Sequence, residues 1–290
     1  SLDVGTPGLY IGEGLQGYAI VGAARDEVDF QDNDDQTEVT RYDGADGVDI
    51  SSLPRKLAFA LRFAEPNLVV SGELGAESRI LYKRDVVDRA KTLAPFLKFD
   101  RDPYPAIIDG KVLWILDAYT STEMFPYAQR VNPRAVRSGD LRTEANYVRN
   151  SVKVVVDAYD GTPTFYIVDD QDPIAQSYSR QFPDLFSETP PPAELAEHFR
   201  YPEDLFRMQT DMWGRYRITE ASEFYDAAGA WSVAQDPGNS IGQTAVESVI
   251  DASGNIISSS EVRIAPQYLL MRLPGDDDES FVIFRPFVPF

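Results

Sequence analysis

Twice in this chain an Asp-Gly pair stands between two runs of β-branched and aromatic residues. The first is "PAIIDGKVLWILDAY", residues 105–119, and the second is "KVVVDAYDGTPTFYIVD", residues 153–169. Asp and Gly both tolerate positive φ, which a two-residue hairpin turn demands, so each stretch predicts a β-hairpin turning at Asp109-Gly110 or Asp160-Gly161. "DAY" occurs in both, but in the second strand of one hairpin and the first strand of the other, so it is a coincidence and not a repeat. A third hairpin is expected in "AVESVIDASGNIISSSEVRI" (245–264). A fourth joins "PQYLLMRLP" to "DDDESFVIFRPF" through an acidic connection.

Helical patterns lie between these hairpins. "SSLPRKLAFALRF" (51–63) offers a serine cap, a first-turn proline and leucines at helical spacing. "AESRILYKRDVVDRAKTLAPFL" (76–97) reads as one helix, with Ile80, Val87, Ala90 and Ala94 on one side and a mixture of basic and acidic residues on the other. "DPIAQSYSRQF" (172–182) begins with Asp172 as cap and Pro173 in the first turn. "PPPAELAEHF" and "YPEDLFRMQTDMWGRY" predict two more helices, broken at Pro202. "YAIV" (18–21) reads as a short strand, with weak strands near 28–30 and 38–42, and 226–243 reads as a loop. Hairpins mixed with helices, without strict β-α-β alternation, predict an α+β fold. The expected division is 1–145 and 146–290, or one compact domain, with the apolar ending "FVIFRPFVPF" read as a strand cut short in a fragment.

Composition narrows the chemistry. The chain has 290 residues, a net charge of −20, no cysteine and one histidine, His198. So acidic a surface repels nucleic-acid phosphates and anionic headgroups, so neither a nucleic-acid partner nor polybasic docking on a membrane is expected. Disulfides and cysteine-based metal sites or nucleophiles are excluded, and a two-histidine metal site cannot form within one chain. No run of apolar residues is long enough to span a bilayer.

The candidate sites are few. "GEGLQG" (Gly12–Gly17) spells G-x-G-x-x-G, but a strand-like stretch follows it where a dinucleotide site needs a helix, so it predicts a glycine turn and no cofactor. His198 lies at a helix end beside Glu194 and Glu197, without the second strong ligand that a metal needs. Three acidic clusters could offer oxygen ligands to calcium: Asp32, Asp34 and Asp35; Asp169, Asp170 and Asp172; and Asp276, Asp277, Asp278 and Glu279. None fits the calcium-loop spacing, and solvated turns and caps are the competing reading. Phe206, Met208, Met212, Trp213, Tyr216, Phe224 and Tyr225 concentrate aromatic and sulfur side chains that could line a ligand groove but better suit core or interface packing.

"FLKFDRDPYPAIIDGKVLWILDAYT", "NYVRNSVKVVVDAYDGTPTFYIVDDQDPI" and "YPEDLFRMQ" closely resemble uncharacterised protein family zero-one-eight-two, bacterial multi-pass membrane proteins with a large soluble region. The resemblance runs from about "YAIVG" to "MRLPG". It implies a piece of that soluble region, on the extracytoplasmic face of the plasma membrane, anchored by transmembrane helices elsewhere in the full-length chain. It brings no catalytic residues. The function expected is binding or gating of an envelope lipid, polymer or partner protein. Two alternatives stand beside it: a carboxylate- or metal-dependent envelope enzyme, and a structural scaffold that assembles as a homo-oligomer.

Overall fold

The computed structural model describes residues 8–25, 27–31, 37–44, 46–131, 140–141, 145–226, 229–237, 246–250, 256–261 and 263–289. These residues form α+β structure in two compact units. Unit 1 takes Ser1–Ser121 and Arg149–Phe199, and unit 2 takes Thr122–Val148 and Arg200–Phe290. Among the described residues no helix is long and apolar enough to cross a membrane.

In unit 1 the elements run β1 (Tyr18–Val21), β2 (Glu27–Gln31), β3 (Thr37–Thr40), β4 (Val48–Asp49), α1 (Leu53–Phe63), α2 (Asn67–Val70), β5 (Arg79–Tyr82), α3 (Val86–Leu93), β6 (Lys98–Phe99) and β7 (Tyr104–Ile108). Then come β8 (Lys111–Thr122), β9 (Tyr147–Asp157), β10 (Pro163–Ile167), α4 (Pro173–Gln181) and α5 (Ala193–Glu197). The main sheet has the order β10-β9-β8-β6, with β7 also paired to β8. Its strands are covered on both faces, which is why β8 and β9 read as nearly continuous apolar runs. Leu116, Ala118, Val152, Val154, Val156 and Phe165 pack with Val86 and Ala90 of α3 in one buried cluster. Ile115 and Val155 pack instead with Tyr104, Ala106, Ile108 and Leu195. Each such valine or isoleucine, removed from water, contributes roughly 1.5–3 kcal/mol before the entropy of ordering it is subtracted.

The two Asp-Gly pairs turn differently. Asp109 (φ 51°) and Gly110 (φ 73°) both take the left-handed conformation, and Ile108 pairs with Lys111 across a two-residue loop. In the second hairpin only Gly161 (φ 75°) is left-handed. The loop there spans residues 158–161, closed by the amide of Gly161 donating to the carbonyl of Asp157 at 2.9 Å. The Asp157 carboxylate accepts from the amides of Tyr159 (2.8 Å) and Asp160 (3.2 Å). Asp160-Gly161 is therefore not the two-residue turn that its sequence suggests.

One expected helix is corrected. Residues 76–97 do not form a single helix: Arg79–Tyr82 is the strand β5 and only Val86–Leu93 is helical. β5 pairs antiparallel with β1, Ile20 opposite Ile80, and with β4, Val48 opposite Ile80. Asp85 then caps α3, its carboxylate accepting from the Asp88 amide at 2.8 Å. A cap inside the segment marks a helix start there, and the partners on both sides of "RILY" override its helical spacing. The helix expected at 51–63 does form as α1, with Ala60 buried against Ile50, Leu68 and Ile80.

Unit 2 contains α6 (Glu203–Tyr216), α7 (Ala221–Asp226), β11 (Trp231–Val233), β12 (Val246–Ile250), β13 (Ile256–Glu261), β14 (Gln267–Met271), β15 (Ser280–Phe284) and β16 (Phe287–Pro289). The expected hairpins appear as β12 with β13 and β14 with β15. β11 lies inside the stretch read as a loop, and it pairs with β16, Ser232 opposite Val288. That partner lies more than fifty residues downstream, so no local signal announces a three-residue strand. α6 approaches β11 so closely that a Cβ on Gly214 would stand 2.0 Å from the Trp231 carbonyl oxygen. Arg285 ties this unit together, donating to the Ile264 carbonyl at 2.6 Å and to the Thr210 hydroxyl at 2.9 Å.

Candidate functional site

A charged residue in the middle of a strand that is covered on both faces needs a partner, because stripping water from a lone charge costs several kcal/mol. β8 and β9 each hold one such residue. Asp117 follows "WIL" in β8, and Lys153 sits in "SVKVVV" of β9. The Lys153 ammonium donates to the Asp117 carboxylate, and their side chains are only 5% and 3% exposed. The same ammonium lies 5.4 Å from the centre of the Phe199 ring, a cation–π contact on its far side.

A second carboxylate stands behind this pair. Asp100, just past β6, donates its amide to the Asp117 carbonyl at 2.8 Å. Its carboxylate accepts from the buried Tyr119 hydroxyl and, at 3.1 Å, from the Asp102 amide. Burial pushes the Asp117 carboxyl up to about 6. The Lys153 ammonium pulls the other way by less, and the Asp100 charge pushes it further up. The group is an ion pair closed away from water, with a carboxyl that ionises close to neutral pH. It fixes strand register and leaves no open side for a substrate.

Of the calcium candidates, the structure separates Asp169, Asp170 and Asp172. The Asp169 carboxylate accepts from the Gln171 amide at 3.0 Å and faces Arg149 at 3.1 Å. Asp170 accepts from the Gln171 side chain at 2.9 Å. Asp172 is fully buried. One of its oxygens caps α4 by accepting from the Ile174 amide at 3.0 Å. The other accepts from the hydroxyls of Thr120 and, at 2.6 Å, Ser151. Asp172 is therefore a structural hub that ties α4 to β8 and β9. Asp276, Asp277, Asp278 and Glu279 are exposed on the connection between β14 and β15. Asp32, Asp34 and Asp35 lie outside the described residues. Among the described residues no three of His, Asp and Glu are grouped as a metal site requires.

The other sequence features fall into place as local structure. In "GEGLQG", Gly14 (φ 68°) and Gly17 (φ 77°) are left-handed and β1 follows directly. The Gly14 amide donates to the Asp85 carboxylate at 2.8 Å. His198 ends α5, exposed, its Nδ1 at 2.9 Å from the Glu194 carbonyl oxygen. In the aromatic stretch of α6 and α7, Met208 is buried, whereas Trp213, Tyr216 and Tyr225 are exposed.

Three tyrosines form a cluster that sequence reasoning missed. Tyr10, Tyr42 and Tyr159 have ring centres 4.8–5.4 Å apart. At that spacing they fill their own cage. Burial raises the Tyr42 hydroxyl to about 12. Beside Tyr42 lies a cavity of about 410 Å³ lined by Arg41, Asp43, Asp49, Glu77 and Arg79. A second cavity of about 200 Å³ is lined by Asp46, Ile80, Lys83, Arg89 and Leu93. Arg89 at its edge is held by Asp46 at 2.7 Å and by the Gly161 carbonyl at 3.0 Å.

The picture is of an α+β protein whose most deeply buried charges brace a sheet. Comparison with known sequences gives it a family. The profile of the Uncharacterised protein family (UPF0182) matches residues 1–290, so the chain belongs to that family. It is similar to a UPF0182 protein of Methanospirillum hungatei, 38% identical across 100% of this chain and 30% of the relative. A UPF0182 protein of Cupriavidus necator is 39% identical over 98% of this chain and 29% of its own length. One of Micrococcus luteus is 36% identical over 98% and 27%. The chain thus spans about 30% of the length of the curated relatives it matches. No solved structure matches it.

Proposed function

We propose that this chain is an extracytoplasmic domain of a multi-pass membrane protein. In that role it binds or gates an envelope component (a lipid, a polymer or a partner protein) for the membrane-embedded part of its own full-length chain. The observation that carries this reading is the apolar surface. In a chain of net charge −20, large apolar side chains stand in solvent in each unit. They include Leu57, Leu61 and Val70 in unit 1, and Leu269, Leu270 and Phe281 on β14 and β15 in unit 2. Apolar side chains exposed in groups point to contact with something outside the described fold. The closed pair of Lys153 and Asp117 supports binding over catalysis, because it spends its charges on the sheet. The greater length of the relatives leaves room for the membrane-embedded part.

The chain has no cysteine, which makes its location testable by labelling. Met124, exposed in unit 2, is replaced in the full-length protein as Met124→Cys. Intact cells are treated with a membrane-impermeant maleimide, and the labelled peptide is identified by mass. Labelling in intact cells supports an extracytoplasmic position. Labelling of that peptide only after lysis overturns it.

A further inference from the structure

Lys83 sits in a backbone conformation that side chains avoid. Its φ of 56° is left-handed, where a Cβ crowds the following carbonyl oxygen. The residue lies between β5 and α3, where a glycine would make the same turn without strain. Residues held in this way gather at ligand sites, and here the turn brings two cations to one cavity. The Lys83 carbonyl accepts from Arg89 Nε at 3.2 Å. The Lys83 ammonium donates to the Thr92 hydroxyl at 2.6 Å, and that hydroxyl donates to the Asp88 carbonyl at 2.7 Å. Lys83, Arg89 and Thr92 all line the cavity of about 200 Å³ in unit 1.

The same cavity has an apolar side. Ile80 is fully buried, Val48 is half-buried and Leu93 is 48% exposed. The one acid among its described lining residues, Asp46, is already taken by Arg89 at 2.7 Å. The Lys83 ammonium is placed differently. Among the described residues its one hydrogen-bond partner is the neutral Thr92 hydroxyl, and no carboxylate pairs with it. An ammonium has three donors, so two remain. The chain holds 47 acidic residues against 27 basic ones, so a lysine without an acid of its own, beside an apolar cavity, stands apart from the general pattern. An apolar wall with a cation at its side is complementary to a molecule that is apolar at one end and anionic at the other.

We propose that this cavity binds a small amphiphilic carboxylate, its apolar part against Val48, Ile80 and Leu93 and its carboxylate on the Lys83 ammonium. Size sets the class. An apolar cavity of about 150 Å³ holds one benzene, so about 200 Å³ holds one ring or a short acyl chain together with its carboxylate. A two-chain lipid is too large for it, and a bare phosphate leaves the apolar wall uncovered. The site is independent of the envelope-binding reading: it lies within unit 1 and asks nothing of which side of a membrane the chain faces.

The test follows the isoleucine, leucine and valine methyl groups of the 290-residue chain by NMR. Benzoate is titrated in, and in parallel benzyl alcohol, benzylamine and inorganic phosphate. Benzoate should shift the Val48, Ile80 and Leu93 methyls with a Kd of about 1 mM, as suits a ligand of about nine non-hydrogen atoms. The alcohol and phosphate should bind roughly tenfold more weakly, and the amine not at all. Lys83→Gly removes the ammonium and should weaken benzoate roughly tenfold. Because glycine takes this φ freely, its thermal midpoint should match or exceed that of the wild type. Lys83→Asn, which also tolerates the conformation, gives the same readout if the glycine variant fails to fold. Three results overturn the proposal: no benzoate-dependent shift at these methyls, alcohol or phosphate binding as tightly as benzoate, or a folded Lys83 variant that binds benzoate as the wild type does.

Discussion

Asp117 should make the fold less stable as the pH rises, the reverse of the usual aspartate. Its carboxyl ionises at about 6 in the folded chain, raised chiefly by burial, against an ordinary value of 3.8. The folded state therefore holds this proton over a range where the unfolded chain has released it. Stability supplied by the protonated form is complete below about 3.8 and is lost by about 6. At about 1.4 kcal/mol per pH unit, that gap is worth roughly 3 kcal/mol. Many other carboxylates also titrate in this range, so the total stability curve hides the effect. A difference measurement isolates it: wild type and Asp117→Asn are unfolded in urea at steps from pH 4 to pH 7. Asparagine stands in for the protonated carboxyl, so the two curves differ by a constant at low pH, and the Lys153 ion pair enters through the ionisation of Asp117 itself. The gap between them should shift by roughly 2.4 kcal/mol over that range, in the direction that favours the variant as pH rises. Parallel curves, or a wild type that gains on the variant with rising pH, would show that the ion pair outweighs desolvation and would refute the reasoning.

Other substitutions separate bracing from binding. Lys153→Met leaves the Asp117 carboxylate buried without its cation and should cost about 3–5 kcal/mol in urea unfolding. The double change Lys153→Met/Asp117→Leu should recover most of that loss, because an apolar pair fits the same covered sheet. Asp172→Ala removes a helix cap and strands two buried hydroxyls, so it should cost about 3 kcal/mol, well above the roughly 1 kcal/mol of a cap alone. Asp172→Asn keeps an oxygen for the cap and should cost less, read from the same unfolding midpoints. Gly214→Ala would force a Cβ to within 2.0 Å of the Trp231 carbonyl oxygen. Backbone must move to relieve that clash, so a loss of about 1–3 kcal/mol is expected in thermal unfolding of unit 2.

The parts of the fold that were legible in the sequence are those whose causes are local. Asp109-Gly110 declares its own turn, and Asp172-Pro173 declares the start of α4, because a cap and a first-turn proline act within a few residues. "RILY" was misread for the opposite reason. Its Ile80 satisfies a helical period as well as a strand period, and what decides between them is pairing with β1, some sixty residues upstream. β11 was invisible on the same grounds, since three residues carry no period and its partner β16 lies far downstream. Asp157 shows a finer failure. The Asp-Gly rule placed the turn at 160–161, but a carboxylate three residues earlier could gather two amides at once, and the longer loop formed around it.

The same distinction separates the buried polar group from the acidic clusters. Lys153 and Asp117 escape the sequence reading, although each is a charge inside an apolar run and a charge there implies a partner. Which partner depends on how β8 registers against β9, across thirty-six residues. Asp169, Asp170 and Asp172 looked equivalent because they are neighbours along the chain, yet one faces an arginine in solvent and another is wholly buried under two hydroxyls and a helix start. Density of carboxylates along the chain therefore does not say which of them the fold groups together. A single acid before proline, or a single lysine among valines, says more, since each marks a place where the chain must supply what water no longer does.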